Sequence, residues 1–455
     1  MKKHILLPAM LVAAMFSTSA VKAQEDVNPL LKYISKDESF KASIGGRMYA
    51  DLAYYHSDWT PMKSGAAITD ARIHAALEYG KFYIYADFGF GKGEFSQKNL
   101  FVQYNFKESL KGIHSVKVGY YNEPSSMSAM TSTYNYHFFA RPAAVQALAP
   151  GRALGATYRF FNDKFFFDQG IFAQLKYNDQ DAGYQGLSLS GRWLYKPVND
   201  EHHTFQFGFS ARYQRFNAGT VYQDGVFETN VNYSANMQSY VDEDVEFLNL
   251  DLPWAKDAFS ITPEFLFRSD RFFTRAEYIW TRVWKDRDDQ RLFESQLGGQ
   301  QSWQTLPSWQ GGNKLRPTLL NGGYLELGYL ICGKAYTYDQ QYGILKGMGD
   351  KNALEVVARY SYTDLSDITK GDRFVYGNNK FYPDSDGDGV AEIVDYPRWS
   401  SVDGGKMHAV TVGLNYSFNQ YIKVMGEYQY ANLKNVYFPD DQNFHQLQLR
   451  VAFAF

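Results

Sequence analysis

The sequence has very little cysteine, no long apolar run and no block of basic residues. Cys332 is the only cysteine among 455 residues, which excludes intramolecular disulfide bonds. No stretch of about eighteen apolar residues occurs, so we predict no transmembrane helix. Basic residues number 46 against 49 acidic ones and are scattered along the chain, which argues against nucleic acid as a partner.

The N-terminus has the features of an export signal. Two lysines precede a short apolar stretch over residues 5–16, and a small-residue cleavage site that ends at Ala23 follows. We therefore predict a signal peptide over residues 1–23 and a mature chain that begins at Gln24. Removing its three lysines lowers the basic count from 46 to 43 against 49 acidic residues, a net charge of −6.

Aromatic residues are abundant, and apolar residues alternate with polar ones. Aromatic residues form 17% of the chain, including 36 Tyr and 35 Phe. In the final stretch HQLQLRVAFAF, every second residue from Leu447 to Phe455 is apolar, and the residues between them are polar or small. Alternate side chains face opposite sides of a β-strand. The stretch therefore predicts a strand between lipid and water, as in an outer-membrane barrel with aromatic girdles.

Similar alternating runs recur along the mature chain, and about sixteen are found. They lie near residues 42–55, 70–79, 81–90, 99–107, 114–121, 152–161, 165–178, 185–196, 203–216, 258–269, 271–284, 321–335, 351–364, 405–418, 420–432 and 442–455. Tight turns follow predicted strands 2, 6, 10 and 14. Long segments follow mainly odd strands, at 56–69, 122–151, 217–257, 285–320 and 365–404, whereas the link at 339–350 is longer than expected.

This asymmetry of loops is typical of a transmembrane antiparallel β-barrel with both termini in the periplasm. We predict an all-β fold with a barrel over residues 42–455 and a short periplasmic segment over residues 24–41. Closure of the barrel pairs every backbone group that faces lipid. A secreted sandwich or solenoid is the alternative, but it explains neither the loop asymmetry nor the terminal Phe455.

The stretch 116–155 contains a distinctive set of motifs, namely Val118-Gly119, Pro124-Ser125, Thr131-Ser132, Phe139 with Arg141, and Ala149-Pro150-Gly151-Arg152 followed by Gly155. With these residues the stretch resembles the phosphate-selective porin O and P family. Further matches lie at 45–55, 70–79, 323–338 and 353–367. The sequence departs from the family at Asn122-Glu123 and Ala140, where Lys and Glu are common.

The resemblance implies a sixteen-stranded porin, usually a homotrimer, in the outer membrane of a Gram-negative bacterium. It implies passive diffusion of small solutes, namely anions such as phosphate, through a water-filled channel that is constricted by the infolded loop 122–151. In anion-selective members of the family, Arg and Lys side chains line the pore as a ladder.

Basic residues on the polar side of the predicted strands are candidates for the pore lining, because a charge on the lipid face costs about 2–4 kcal/mol near the midplane. These are Arg47, Arg72, Lys117, Arg192, Arg212, Arg275, Arg359 and Arg450, and Arg141 lies in the predicted constriction loop. We expect Arg72, Lys117 and Arg141 to act at the constriction. Alternatively, these arginines only pair with wall carboxylates, namely Asp51, Glu78, Asp87, Glu277, Glu355 and Glu427.

The stretch 384–395, DSDGDGVAEIVD, has the oxygen spacing of a calcium-binding loop. The predicted ligands are Asp384, Asp386, Asp388, Val390 through its carbonyl, Glu392 and Asp395, with Gly389 at the sharp turn. A solvated acidic turn is the alternative. We expect a bound ion to stiffen the loop, and we expect no cofactor to be required for transport.

Three functions remain open at this point. The first is a passive porin, and the second is a structural or adhesive surface barrel, which would need no open pore. The third is a barrel enzyme, which is disfavoured because no Ser/His/acid set is found at one rim. A plugged transporter is also disfavoured, since only residues 24–41 precede the first predicted strand. Conductance across a planar bilayer would separate the porin from the others.

Overall fold

Neighbouring strands pair in chain order and close on themselves. The computed structural model describes residues 29–57, 60, 62–106, 112–173, 186–216, 222–223, 226–227, 230–243, 247–253, 255–285, 317–348, 351–367, 374–376, 401–434 and 442–455. We number its sixteen barrel strands β1 to β16. They are Phe40–His56, Gly65–Tyr79, Phe82–Gly89, Ser96–Asn105, Ile113–Asn122, Arg152–Phe161, Phe165–Ala173, Leu187–Asn199, Thr204–Arg215, Ala255–Arg268, Phe272–Lys285, Thr318–Cys332, Ala353–Asp367, Ser401–Ser417, Ile422–Lys434 and Asn443–Ala454.

Each barrel strand is antiparallel to its neighbours, and β16 pairs with β1 from Arg47 opposite Ala454 to His56 opposite His445. The terminal Phe455 completes this seam, because its backbone N–H and C=O both bond to Gly46 at 2.8 and 2.7 Å. The prediction of a closed barrel of sixteen antiparallel strands is therefore confirmed, and each predicted run corresponds to one strand.

The two faces of the wall have opposite character, as the alternation predicts. In β16, Gln446, Gln448 and Arg450 are at most 2% exposed, whereas Leu447 and Leu449 are 57% and 45% exposed. Polar side chains thus point into the lumen and apolar side chains point outward. A soluble protein with one apolar core would show the reverse pattern.

Short elements accompany the barrel. The strand Leu31–Ile34 pairs with the start of β1, within the segment 24–41, and Phe374–Tyr376 pairs in parallel with β14. Small two-stranded units form between Tyr222–Gln223 and Val226–Phe227, Asn230–Ala235 and Leu248–Pro253, and Tyr338–Asp339 and Ile344–Leu345. The helices are α1 (Met127–Met130), α2 (Ala143–Leu148) and the 3-10 turns Gly91–Gly93 and Thr133–Asn135. Within the described ranges, no helix is long and apolar enough to cross a membrane.

The links between strands differ at the two ends of the barrel. We call the end that holds Leu31–Ile34 and Phe455 the short-turn end. Tight turns there join β2 to β3, β6 to β7, β8 to β9, β10 to β11, and β14 to β15. The link 333–352 between β12 and β13 is longer, and its described residues 333–348 fold back into the lumen. The opposite end, which we call the long-loop end, carries the link 123–151 between β5 and β6, which also enters the lumen.

Candidate functional site

The link 123–151, which we call the constriction loop, is fixed inside the barrel by wall side chains. Glu277 on β11 accepts hydrogen bonds from the backbone N–H groups of Met127 and Ser128 at 2.5 and 3.0 Å. It also accepts one from the Ser126 hydroxyl at 2.9 Å. These are the N–H groups that a helix leaves without intrahelical partners, so Glu277 both caps α1 and ties it to the wall.

The middle of the constriction loop is held by the wall from β13 to β16. The Phe139 N–H donates to Glu427 at 3.1 Å, and its carbonyl oxygen accepts from Arg450 at 2.9 Å. Arg359 donates to the Ala140 carbonyl oxygen at 2.8 Å. Such bonds to charged groups are the strong class of hydrogen bond, so they define one position of the loop.

His137 adds a further buried attachment to this part of the loop. Its Nδ1 lies 2.7 Å from Glu355, which also accepts from the Tyr336 hydroxyl and the Asn415 amide. Both partners of the His137–Glu355 pair are at most 1% exposed. Glu355 therefore joins the constriction loop to the link 333–352, since Tyr336 belongs to that link.

Two other segments fill the same side of the lumen. The link 333–352 is held by Arg192, which donates to the carbonyl oxygens of Tyr342 and Gly343 at 2.6 and 2.8 Å. Residues 230–243 and the paired strand Leu248–Pro253 enter from the long-loop end, where the Met237 carbonyl oxygen accepts a hydrogen bond from Gln446 at 2.8 Å. These segments and the constriction loop occupy the lumen beside β8 to β16 and leave space along β1 to β6.

That space is a cavity of about 430 Å³ lined by β1 to β6, the constriction loop and the long-loop segment near Tyr240, with Arg450 of β16 and Tyr342 of the link 333–352 at its border. Burial raises the pKa of Tyr240 to about 12, so its phenol is neutral at ordinary pH. Eight basic and four acidic side chains line the cavity, a local excess of four positive charges in a chain whose net charge is −3. The basic side chains are Arg47, Arg72, Lys92, Lys98, Lys117, Arg141, Arg152 and Arg450. The acidic ones are Asp70, Asp87, Glu94 and Glu243.

Some of the basic side chains in the cavity form ion pairs. Arg47 and Arg72 share Asp70 at 2.9 and 2.7 Å, and Arg72 also lies 3.5 Å from Asp87. Arg450 forms a two-point pair with Asp51 at 2.7 and 2.6 Å. Two arginines and two aspartates balance in this cluster, so the excess of positive charge at the cavity comes from other basic side chains.

Four of the basic side chains, Lys98, Lys117, Arg141 and Arg152, form no ion pair within the described part of the chain. Arg152 donates to the Asn99 side-chain oxygen at 2.9 Å. Arg141 donates to the Ala129 carbonyl oxygen at 2.8 Å, while its buried Nε has no partner among the described residues. Lys117 lies over the ring of Tyr121 at 4.0 Å. These four basic side chains therefore line the cavity without a carboxylate partner among the described residues.

Five of the nine basic residues that the sequence indicated come together at this cavity, namely Arg47, Arg72, Lys117, Arg141 and Arg450. The other four lie elsewhere and bind carboxylates or loops. Arg192 pairs with Glu264, Arg212 with Glu123, and Arg275 and Arg359 with Glu326. For these four, the geometry matches the alternative of wall pairing. The carboxylates Glu277, Glu355 and Glu427, expected as arginine partners, instead bind the constriction loop.

Lys98 and Arg152 also reach the cavity, although strand alternation does not indicate them. Lys98 is the extra residue of a β-bulge, because Asp87 and Phe88 pair with Asn99 and Gln97 on either side of it. A bulge redirects the side chain that it adds. Arg152 is the first residue of β6, and its side chain turns inward at the strand end. The quoted Ala149-Pro150-Gly151-Arg152 motif was the signal that could have identified Arg152.

The predicted calcium loop 384–395 lies outside the described residues. Among the residues that the structure does describe, no group of three or more His, Cys, Asp or Glu side chains is placed to hold a metal ion.

Solved structures with similar folds are outer-membrane channels. An anion-selective porin from Comamonas acidovorans matches with a TM-score of 0.50 and 12% identity, over 91% of this chain and 100% of that chain. The outer membrane channel DcaP of Acinetobacter baumannii matches with a TM-score of 0.50 and 11% identity, over 94% and 100%. At these identities the likeness concerns the fold. Among curated protein sequences, no significant match was found.

The sequence model of the family described as phosphate-selective porin O and P matches residues 43–455, which is the whole barrel except the start of β1. Family and fold together indicate a channel. The chain therefore belongs to the phosphate-selective porin O and P family and is an outer-membrane porin.

Proposed function

We propose that this porin conducts small anions, including oxyanions such as phosphate, along the cavity between β1 to β6 and the constriction loop. The observation that carries the proposal is the set of four basic side chains without ion pairs, Lys98, Lys117, Arg141 and Arg152, around that cavity. The family description and the anion-selective porin of similar fold agree with this choice of solute.

Electrostatics decides which ion enters. One unit charge 4 Å from another gains or loses about 4 kcal/mol at an effective dielectric constant near 20. An anion beside Arg152 or Lys98 is stabilised by this order of energy, and a cation is repelled by a similar amount. Because the basic groups follow one another along the wall, an anion can exchange between weak sites, as conduction requires. Arginine suits this path because its planar group offers several donors to an oxyanion.

Reversal potential across a planar bilayer tests the proposal. Purified protein is inserted between two KCl solutions of unequal, low concentration, where the Debye length is about 30 Å and charges act over the whole cavity. We expect a potential of the sign that chloride permeation produces. Selectivity should weaken near 1 M salt, where the Debye length falls to about 3 Å. A cation-selective or neutral potential would reject the anion path and leave the porin, whereas no conductance at all would favour a structural barrel.

Variants assign the selectivity to named side chains. We expect Lys98→Gln with Arg152→Gln, and separately Arg72→Gln, Lys117→Gln and Arg141→Gln together, to lower the anion-to-cation permeability ratio. Lys164→Gln with Arg271→Gln removes the same number of charges as the first pair, but in the tight turns at the short-turn end. An unchanged ratio in both cavity variants would contradict the assignment.

We also propose that the porin is a homotrimer in outer-membrane lipid and that its signal peptide is cleaved after Ala23. The trimer is proposed from the family resemblance. The outward-facing apolar side chains of the wall are suited to contact membrane lipid. Mass measurement of the detergent-solubilised complex tests the trimer. The intact mass of the mature chain tests whether Gln24 is its first residue.

A further inference from the structure

The outward wall of β10 to β14 contains a groove of about 660 Å³. It lies among side chains that face the membrane, since Leu325 and Tyr360 in its lining are 45% and 46% exposed. Ala276 and Gly323 create the groove, because each is small and is flanked by larger residues on both neighbouring strands. The side chains that line it include Phe265, Ala276, Tyr278, Leu325, Tyr360 and Tyr362. The wall therefore presents an apolar depression to lipid at this place.

The groove reaches the upper edge of the apolar belt around the barrel. On the outward side of β14, Val410, Val412 and Leu414 are exposed, with Phe418 beyond one end of this stretch and His408 at the other. At the usual rise and tilt of a barrel strand, the interval from Phe418 to His408 covers about 25 Å along the barrel axis, which is the height of the apolar band in outer-membrane barrels. His408 lines the groove and thus lies at the membrane interface of the long-loop end. Long loops of such barrels are extracellular, so this interface belongs to the outer leaflet.

Two lysines face outward just above the groove. Lys406 and Lys434 occupy directly paired positions on β14 and β15, and both side chains are open to the outside. Like charges directly opposite each other destabilise a sheet. Asp364 on β13 lies 2.8 Å from Lys406, whereas Lys434 forms no ion pair with any residue that the structure describes. This group of three side chains therefore has one excess positive charge at the membrane interface, where an anionic headgroup would balance it.

The lysines and the groove form one continuous surface. Tyr362 and His408 pair across β13 and β14 at the upper end of the groove, and Asp364 and Lys406 are the next outward pair on the same strands. Asp364 accepts hydrogen bonds from the Tyr362 hydroxyl at 2.9 Å and from Lys406 at 2.8 Å. Alternate residues of a strand are about 7 Å apart. A molecule that joins an anionic group to an apolar chain can therefore contact the lysines and the groove at once.

We propose that this surface binds a phosphorylated lipid of the outer leaflet, with a phosphate between Lys406 and Lys434 and an acyl chain in the groove. Lysines at a membrane surface attract anionic headgroups. Close packing against small residues provides attraction inside a membrane, where apolar surface alone does not. A free phosphate ion would leave the groove without a role, which favours a lipid as the occupant. The surface lies outside the lumen, so this proposal does not depend on the anion path.

Native mass spectrometry of the detergent-purified porin tests the proposal on the unmodified protein. The probes are hexa-acylated lipid A with both of its phosphates and the same lipid A after complete dephosphorylation. The attraction of two lysines for an anionic headgroup leads us to expect about thirtyfold tighter binding of the phosphorylated form. Equal apparent Kd values would overturn the proposal. Displacement of the bound lipid by an equal concentration of inorganic phosphate would also overturn it, because the lysines would then bind the free ion.

Charge variants locate the headgroup. Lys406→Gln with Lys434→Gln should weaken binding of phosphorylated lipid A about thirtyfold. Lys164→Gln with Arg271→Gln removes the same number of charges at the short-turn end and should leave binding unchanged. Native affinity in a folded Lys406→Gln, Lys434→Gln barrel would refute the assignment to these lysines.

A variant that fills the groove tests the contact with the acyl chain. Ala276→Leu should weaken lipid binding severalfold, whereas Ala86→Leu on the outward side of β3 should not change it. The same spectra report the mass of the oligomer. Dissociation of an oligomer by Ala276→Leu or by the lysine variant would show that a second copy covers this face, and it would reject the lipid. If these variants do not fold, the comparison of the two forms of lipid A on the native protein still decides.

Discussion

Removal of the Glu277 carboxylate should loosen the constriction loop without unfolding the barrel. Glu277 accepts four hydrogen bonds, from the N–H groups of Met127 and Ser128 and from the hydroxyls of Ser126 and Tyr324, the last at 2.6 Å. Three of these four donors belong to the loop. In Glu277→Ala, the two backbone N–H groups lose their acceptor while they remain buried.

The expected cost follows from those contacts. A hydrogen bond to a charged group contributes about 1.5–3 kcal/mol, and each buried donor left without a partner costs about 1–3 kcal/mol. The buried carboxylate itself carries a desolvation penalty that is relieved by the substitution. We therefore expect a net loss of about 2–4 kcal/mol in the inward position of the loop. Since each 1.4 kcal/mol is tenfold, loop-displaced states should become roughly 30- to 1,000-fold more populated.

Single-channel recording measures this change. Displacement of the constriction loop widens the path, so Glu277→Ala should show a larger mean conductance and more frequent conductance steps than the native channel. Glu277→Gln keeps one carbonyl acceptor and should fall between the two. Glu78→Ala is the matched control, because Glu78 also faces the lumen but pairs with Lys41 at 3.4 Å and forms no hydrogen bond to the constriction loop, all of whose residues the structure describes.

The barrel must remain folded for the result to be read. Its strands pair through the backbone, so the shift of electrophoretic mobility on heating should persist in all three variants. A folded Glu277→Ala channel with native conductance and native noise would refute the reasoning, because the loop would then be held without its strongest capping contact.

Three further predictions concern other regions. Gly119→Ala should lower the yield of folded barrel on a heat-modifiability gel. The φ angle of Gly119 is 144°, and an added Cβ would lie 2.2 Å from the Leu100 carbonyl oxygen. Gly65→Ala is the control, because a Cβ at Gly65 meets nothing within 4 Å. In the short turns, the hydrogen bond to Asp270 raises the pKa of His202, so its stabilisation is present below about pH 6.5 and disappears as pH rises through the raised pKa. His202→Asn should therefore lower the thermal unfolding midpoint at pH 5.5 and leave it unchanged at pH 9. Calcium should slow protease cleavage within 365–404 relative to chelator and to magnesium, and equal rates would reject the 384–395 site.

Strand alternation predicts the barrel well because one face must meet lipid and the other must meet water along every strand. The run 152–161 coincides with β6 at both ends, and the other runs match their strands within a few residues. The same rule fails at Lys98, because a β-bulge breaks the two-residue period at that point. It also fails at Arg152, since a side chain at a strand end can turn toward either face.

The infolding of the link 333–352 is not readable from alternation, because it depends on partners that are distant in sequence. Arg192 is identifiable as a lumen residue, but its bonds to the Tyr342 and Gly343 carbonyl oxygens exist only after β8 and the link meet in space. The unusual length of the predicted link 339–350 was the one sequence signal. Length indicates an inserted segment, and tertiary contacts decide where it lies.

The division of charge inside the lumen explains how an acidic chain builds a basic path. Glu277, Glu355 and Glu427 project from β11, β13 and β15, and each binds a donor of the constriction loop. A carboxylate that is satisfied in this way is covered by the loop and faces no solute. On the opposite side, β4 to β6 contain no Asp or Glu, and Lys98, Lys117 and Arg152 there form no ion pair within the described structure. In the anion path proposed above, the loop would thus act twice, because it occupies lumen space and covers those three wall carboxylates.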